Sequence, residues 1–293
     1  MAADGTLTWR ELWDETARRL GDRQHARWLC EVASGLDGAE FLAELGDAAT
    51  KRTVAHLDAM LERRLAGEPL QYVLGRWGFR RLDLVVDRRV LIPRPETEWV
   101  CEIALRSARR LLADAGRRPL RIVDLGTGSG AIGLSLAAEL PIGAAEVWLT
   151  DASGDALDVA RANLAGLGRA GSAVRLGEGE WFDALPDELR GDIDLVVSNP
   201  PYVADGDPAV ERDVVAWEPA SALFAGSDGL DDIRRIAIGA MQWLRPSGEL
   251  VVEIGHEQGA FVRQILAAAG LVDITIAPDL TGRDRIATAR RPD

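Results

Sequence analysis

The stretch Asp194-Leu-Val-Val-Ser-Asn-Pro-Pro-Tyr202 joins an apolar run to four residues of unusual hydrogen-bonding character. The run has the composition of a strand buried on both faces. Two prolines, which lack the N–H a ladder needs, must end it. At its tip stand Asn199, whose amide both donates and accepts, the carbonyls of Pro200 and Pro201, and the aromatic face of Tyr202. Such a set can grip a planar group bearing an NH2, with the oxygens accepting its hydrogens and the ring stacking on its face. Asn-Pro is also ordinary turn chemistry, so the tetrapeptide alone leaves both readings open.

Three further stretches could meet it. Asp124-Leu-Gly-Thr-Gly-Ser-Gly130 follows an apolar run and opens a helical pattern, where glycines let a backbone approach a ligand closely. Gly128, Gly130 and Gly133 also satisfy the spacing of a dinucleotide site. Asp151 ends the next predicted strand, where a carboxylate can accept both hydroxyls of a ribose, or could instead cap the helix opened near Ser153. Trp181 follows the third strand and could lie against an adenine ring or close a loop onto the core.

A hydride-transfer site would need an acid–base residue beside the carbinol. The chain has three histidines, of which only His256 falls near the expected ligand edge, and one lysine, Lys51, in its helical N-terminal part. Dehydrogenase chemistry is poorly supplied. Methyl transfer from a sulfonium asks less, because the methyl is already activated and the protein must place a lone pair in line behind it. An amide nitrogen is a weak nucleophile. If Asn199 and the Pro200 carbonyl accept both of its N–H bonds, density is drawn onto nitrogen and its lone pair is aimed at the methyl.

The elements that must position these residues alternate. Strands are predicted at Arg121–Leu125, Glu146–Thr150, Ala173–Leu176, Ile193–Ser198 and Glu249–Ile254. Helices are predicted at Ala131–Glu139, Ser153–Leu167, Leu230–Leu244 and Gln258–Ala269, and a closing hairpin at Val272–Ala277 and Arg285–Ala289. The pattern implies a mostly parallel sheet with helices on both faces. Before it, Thr8-Trp-Arg-Glu11 has the form of a capping box, and Val54, Leu57, Leu61 and Leu65 keep helical spacing. These predict a small helical bundle over residues 1–70. A hairpin linker is predicted over 71–92, with Tyr72-Val-Leu74 as a strand, and the catalytic domain over 93–293. The stretch Val203–Ser227 is long for a structureless connection and is read as a binding loop.

With 47% hydrophobic residues, 28% charged residues and 30 glycines in 293, the composition is that of a soluble globular protein. No segment has the apolar length of a membrane span, and the N-terminus lacks the apolar block of a signal peptide, so a cytoplasmic location is expected. Cys30 and Cys101 sit in apolar-periodic patterns without ligand spacing; neither a disulfide nor a metal is expected. A net charge of −13 weighs against nucleic acid as the main partner and suits a protein partner.

Taken together, Asp124-Leu-Gly-Thr-Gly-Ser-Gly130, Asn199-Pro-Pro-Tyr202, Ile92-Pro-Arg-Pro-Glu-Thr-Glu98 and the stretch from Trp217-Glu-Pro to Leu230 resemble the PrmC/HemK family of protein-(glutamine-N5) methyltransferases. The resemblance covers nearly the whole chain and is weakest before Val54. It implies a five-helix N-terminal domain, a hairpin and a Rossmann-like methyltransferase domain with a seven-stranded sheet. It also implies S-adenosylmethionine as methyl donor. The substrate implied is the glutamine of the Gly-Gly-Gln loop in class 1 peptide chain release factors, and the enzyme is expected to be a monomer. By this resemblance Gly126, Thr127, Gly128, Ser129 and Gly130 line the methionine end of the cofactor, Asp151 holds its ribose and Trp181 sits by the adenine. Asn199, Pro200, Pro201 and Tyr202 clamp the glutamine, with Asn199, Pro200 and Tyr202 as the catalytic set and Asn199 also near the cofactor. The chain departs from the family after Phe79, where Arg80 and Arg81 follow; contact with a partner is one reading of these arginines, and solvation is the one favoured. A similar clamp serves methyltransferases acting on exocyclic amines of DNA or RNA bases, which is the alternative, and a non-catalytic module with a nucleotide cleft is a more distant one.

Overall fold

The computed structural model describes residues 7–114, 118–210 and 212–293. The chain divides into two compact units, one running up to Arg76 and the other from Trp77 onward.

The first unit is helical: α1 (Trp9–Leu20), α2 (Arg23–Ser34), α3 (Ala39–Ala43), α4 (Lys51–Leu65) and α5 (Leu70–Leu74). The capping box read from Thr8 and Glu11 forms as expected, the Glu11 carboxylate taking the Thr8 N–H at 3.0 Å. Apolar stripes of α1, α2 and α4 close over Phe41, which is fully buried with Trp9 and Trp13 set edge-on against it. Tyr72–Leu74, read from sequence as a strand, is instead the end of α5. Pro69 starts this short helix and Gly75 stops it in the left-handed conformation at φ 72°. Arg63 holds it there, donating to the Tyr72 carbonyl at 2.9 Å while paired with Glu68. Burial of Leu70, Tyr72 and Val73 on one turn outweighs the local alternation.

After the hairpin β1 (Arg76–Phe79) and β2 (Leu82–Val85), α6 (Pro95–Asp114) leads into alternating elements: β3 (Leu120–Leu125), α7 (Ala131–Glu139), β4 (Ala145–Asp151), α8 (Gly154–Ala165), β5 (Val174–Glu178), β6 (Ile193–Ser198), α9 (Arg212–Trp217), α10 (Asp231–Trp243), β7 (Leu244–Glu253), α11 (Gly259–Ala268), β8 (Val272–Pro278) and β9 (Asp284–Arg290). Seven strands form one sheet in the order β5-β4-β3-β6-β7-β9-β8. The first five are parallel, and β9 runs antiparallel to both β7 and β8. The chain builds outward from β3 through β4 to β5, then returns to β3's other side with β6. That reversal is the point where open α/β sheets leave a crevice at the carboxyl edge.

Register decides what faces the crevice. Leu125 pairs with Thr150 and with Ser198, and Ser198 pairs with Val252. Four strands therefore end level, and the residues just past those positions, Gly126, Asp151, Asn199 and Glu253, come to one edge. Residues Ile193–Ser198 are buried throughout, as expected for a central parallel strand.

Arg80 departs from the sequence expectation of a solvated side chain. Its guanidinium binds Glu139 at 2.6 Å and 2.9 Å and Glu102 at 3.2 Å, and its side chain is only 16% exposed. Arg81 does extend into solvent. The two differ because Arg80, at φ 52°, turns inward to Glu102 on α6 and Glu139 on α7, partners that sequence proximity does not reveal.

Candidate active site

At the carboxyl edge of β3, Gly126, Gly128 and Gly130 all adopt left-handed backbone conformations. Only glycine does this without strain. The loop is anchored from beneath by Asp124, whose carboxylate accepts the Thr127 hydroxyl at 2.6 Å and the Gly133 N–H at 2.8 Å. Burial pushes the Asp124 carboxyl up to about 7, although these two bonds work against the rise. Gly133 is glycine for packing: a Cβ there would lie 2.1 Å from Leu149. The third glycine of the dinucleotide spacing thus serves helix-on-sheet contact and does not decide between ligands. Asn163 on α8 clamps the loop's far end, giving its amide N–H to the Ser129 carbonyl at 2.8 Å while binding Val85 on the hairpin.

Asp151 is not the cap of α8; Ser153 is, with its hydroxyl accepting from Ala156. One Asp151 oxygen takes the Gly128 N–H at 2.9 Å and the other the Ser153 N–H at 2.9 Å. Each oxygen keeps a second lone pair for a ligand. Burial raises this carboxyl above its ordinary range against those backbone bonds. Trp181, held at φ 49°, lies beside the loop, so that a Cβ at Gly126 would sit 3.4 Å from its ring. The partly buried Asp232 carboxyl on α10 faces the Trp181 indole, and burial raises it too.

These groups wall a cavity of about 390 Å³, within the range of small-ligand pockets. Gly126, Thr127, Gly128, Ser129, Asp151, Trp181, Asn199 and Pro201 line it; Gly130, Pro200 and Tyr202, also expected at the site, are not among its lining residues. A Cβ at Gly128 would meet nothing within 4 Å, which leaves open space above that amide.

At the β6 tip the Asn199 amide nitrogen lies 3.2 Å from the Thr97 hydroxyl, which is itself 2.7 Å from the Glu253 carboxylate at the end of β7. The Tyr202 hydroxyl faces the same carboxylate at 3.4 Å. Burial lifts Glu253 to about 7, partly opposed by the Thr97 bond and by Arg285, and burial with the Glu253 charge raises the Tyr202 phenol. Tyr202 is further fixed by its carbonyl, which accepts from Gln258 at 2.9 Å.

The stretch read from sequence as a binding loop carries α9, and Val203 and Phe224 within it are joined by a bridge. Glu218, its side chain 2% exposed, accepts the Arg94 guanidinium at 2.6 Å and the Ile92 N–H at 3.1 Å. Arg94, rigid between two prolines, therefore pins this segment over the approach to α6. Among the described residues there is no cluster that could hold a metal ion.

Residues 11–75 match the PrmC N-terminal domain and residues 105–220 the methyltransferase small domain. A release factor glutamine methyltransferase of Xylella fastidiosa is 46% identical over 234 residues, covering 80% of each chain. One of Cereibacter sphaeroides is 41% identical over 283 residues, 95% of this chain and 92% of its own. The chain belongs to the release factor glutamine methyltransferase family. Among solved structures, the N-terminal domain of human METTL16 in complex with SAH is similar in fold, with a TM-score of 0.50 at 16% identity over 72% of this chain and 76% of that one.

The glycine loop, Asp151 and Asn199, expected from the sequence as site residues, line one cavity in the structure, and four groups beside them had no role in that expectation. Asp124 and Thr97 were inside quoted motifs without a role. Glu218 lay in a third motif. Glu253 carried a usable signal, an acid closing the run Leu250-Val-Val-Glu253 that is otherwise fit only for burial.

Proposed function

We propose that this protein transfers a methyl group from S-adenosylmethionine to the side-chain amide nitrogen, N5, of the Gly-Gly-Gln glutamine in class 1 peptide chain release factors. The observation that carries the reading is the convergence of Asp151, the glycine loop and Asn199 on one cavity. The residues fit that cofactor: two carboxylate lone pairs suit a ribose diol, and open space above Gly128 suits the methionine end. When bound, it supplies a methyl already activated by its sulfonium. Asn199 and the Pro200 carbonyl would accept the two N–H bonds of the substrate amide and leave its lone pair free for that carbon, with Tyr202 bordering the clamp. As the N–C bond forms the S–C bond breaks, sulfur keeps the electron pair and leaves as S-adenosylhomocysteine, and one N–H proton passes to water. A protein, rather than a nucleic acid, is the partner this acidic chain suits. No described helix is long and apolar enough to cross a membrane, and we take the enzyme to act as a cytoplasmic monomer.

Incubation with methyl-labelled S-adenosylmethionine is expected to label a release factor, and to fail when its Gly-Gly-Gln glutamine is replaced. Equal labelling of the replaced protein, or labelling of DNA or RNA instead, rejects the assignment. Asp151→Ala is expected to weaken binding of S-adenosylhomocysteine by roughly 100-fold, the worth of two hydrogen bonds to a charged group. Calorimetry reads this directly, and an unchanged affinity removes Asp151 from the site.

A further inference from the structure

An Asn side chain can present either its oxygen or its NH2 to a substrate, and nothing in Asn199 itself selects between them. Its neighbours do. Glu253 is 1% exposed and Thr97 3%, so neither can exchange its partner for water. The Thr97 hydroxyl has one hydrogen, and with Glu253 ionised that hydrogen, 2.7 Å from a carboxylate oxygen, is committed to Glu253. Toward Asn199, 3.2 Å away, the Thr97 oxygen can then only accept. The Asn199 NH2 must turn to Thr97, and the Asn199 oxygen must turn away from it. Both Asn199 and Thr97 line the cavity, so the freed acceptor is in the same space as the substrate.

We propose that Glu253 and Thr97 are positioning residues that lock Asn199 in the one amide orientation whose oxygen can accept a hydrogen bond from the substrate nitrogen. The polarity of the clamp is thus set by a carboxylate that never touches the substrate. With the amide reversed, an NH2 would face the substrate's own NH2, and each such encounter leaves a buried donor without a partner. The lock favours substrates that bring a donor on a planar nitrogen and disfavours a carboxylate or ether oxygen in the same place. The second bond to Glu253, from Tyr202 at 3.4 Å, ties the aromatic side of the clamp to the same anchor.

The proposal rests on the reading of Asn199 as the substrate acceptor, and the test separates the two. Thr97→Val keeps the shape and removes the hydroxyl; kcat on a release factor is expected to fall roughly tenfold to thirtyfold, with S-adenosylhomocysteine affinity within about twofold. Thr97→Ser is expected to restore kcat to within about threefold of the unmodified enzyme. Glu253→Gln, whose amide oxygen can still accept from Thr97 but which carries no charge to hold that orientation, is expected to lower kcat by less. In an Asn199→Ala background neither Thr97→Val nor Glu253→Gln is expected to lower kcat further, since the group they orient is gone. Wild-type kcat in both Thr97→Val and Glu253→Gln overturns the proposal. So does an equal loss in the Asn199→Ala background, which would mean that they act on the fold. An unimpaired Asn199→Ala enzyme instead removes the reading of Asn199 itself.

Discussion

Asn199→Ala lowers kcat for release factor methylation by ~10²–10³-fold and leaves cofactor affinity nearly unchanged. The magnitude is that of deleting one preorganised polar group aimed at charge that develops during a reaction. On the proposed mechanism the amide nitrogen becomes nucleophilic only as its N–H bonds polarise toward acceptors, and Asn199 supplies one of the two. The cofactor side of the cavity does not depend on it. Asp151 is fixed by Gly128 and Ser153, and the glycine loop by Asp124 and Asn163. Single-turnover labelling measures the first quantity and calorimetry the second. A turnover rate within a few-fold of the unmodified enzyme would remove Asn199 from the mechanism, and a parallel collapse of cofactor affinity would reassign it to cofactor binding.

Asp194→Ala is expected to destabilise the second unit by about 3 kcal/mol, the lower end of the cost of breaking a buried ion pair. Asp194 lies near the start of β6, the strand that leads into Asn199, and is fully buried. Its carboxylate takes a fork from Arg118 at 2.7 Å and 2.7 Å, the Arg121 N–H at 2.8 Å and the Arg245 guanidinium at 2.5 Å. It thereby joins β3, β6 and β7 at the edge opposite the cavity. The lower figure applies because Arg118 is 41% and Arg245 23% exposed, so their charges regain water once the partner is lost. For a unit of this size the melting temperature should fall by ~6–12 °C.

Burial opposes ionisation of Asp194, but the bonds from Arg118, Arg121 and Arg245 prevail and hold its carboxyl below the usual range. A depressed pKa contributes stability that is present above the unfolded value, about 3.9, and lost as pH falls below it. The difference between Asp194→Ala and the parent should therefore be full at pH 7 and shrink below about pH 4. Urea unfolding at two pH values checks both statements, and an unchanged midpoint at pH 7 contradicts them.

Some features of the chain are local and were legible in the sequence. Two prolines after Asp194-Leu-Val-Val-Ser198 had to end a strand, because they bring no donor to the ladder. The glycines of 126–130 had to turn the backbone where L side chains do not go, and Thr8 with Glu11 had to start a helix. Alternation of strand and helix was enough to predict a mostly parallel sheet, since apolar periodicity reports how many faces an element buries. Where local and distant forces disagreed the reading failed. Tyr72-Val-Leu74 alternates like a strand, yet Arg63, nine residues earlier, fixes its carbonyl in a helical turn. Arg80 looks solvated until Glu139, 59 residues on, folds beneath it.

The sequence by itself determined which residue types stand at the strand ends: a glycine loop, a carboxylate and an amide with prolines behind it. Only the tertiary structure decided that they share one cavity, because a register in which Leu125 pairs with both Thr150 and Ser198 is a property of strands far apart in the chain. It also decided which way Asn199 points. That orientation depends on a hydroxyl from before β3 and a carboxylate from β7, groups 102 and 54 positions away whose single shared proton has no signature in local composition.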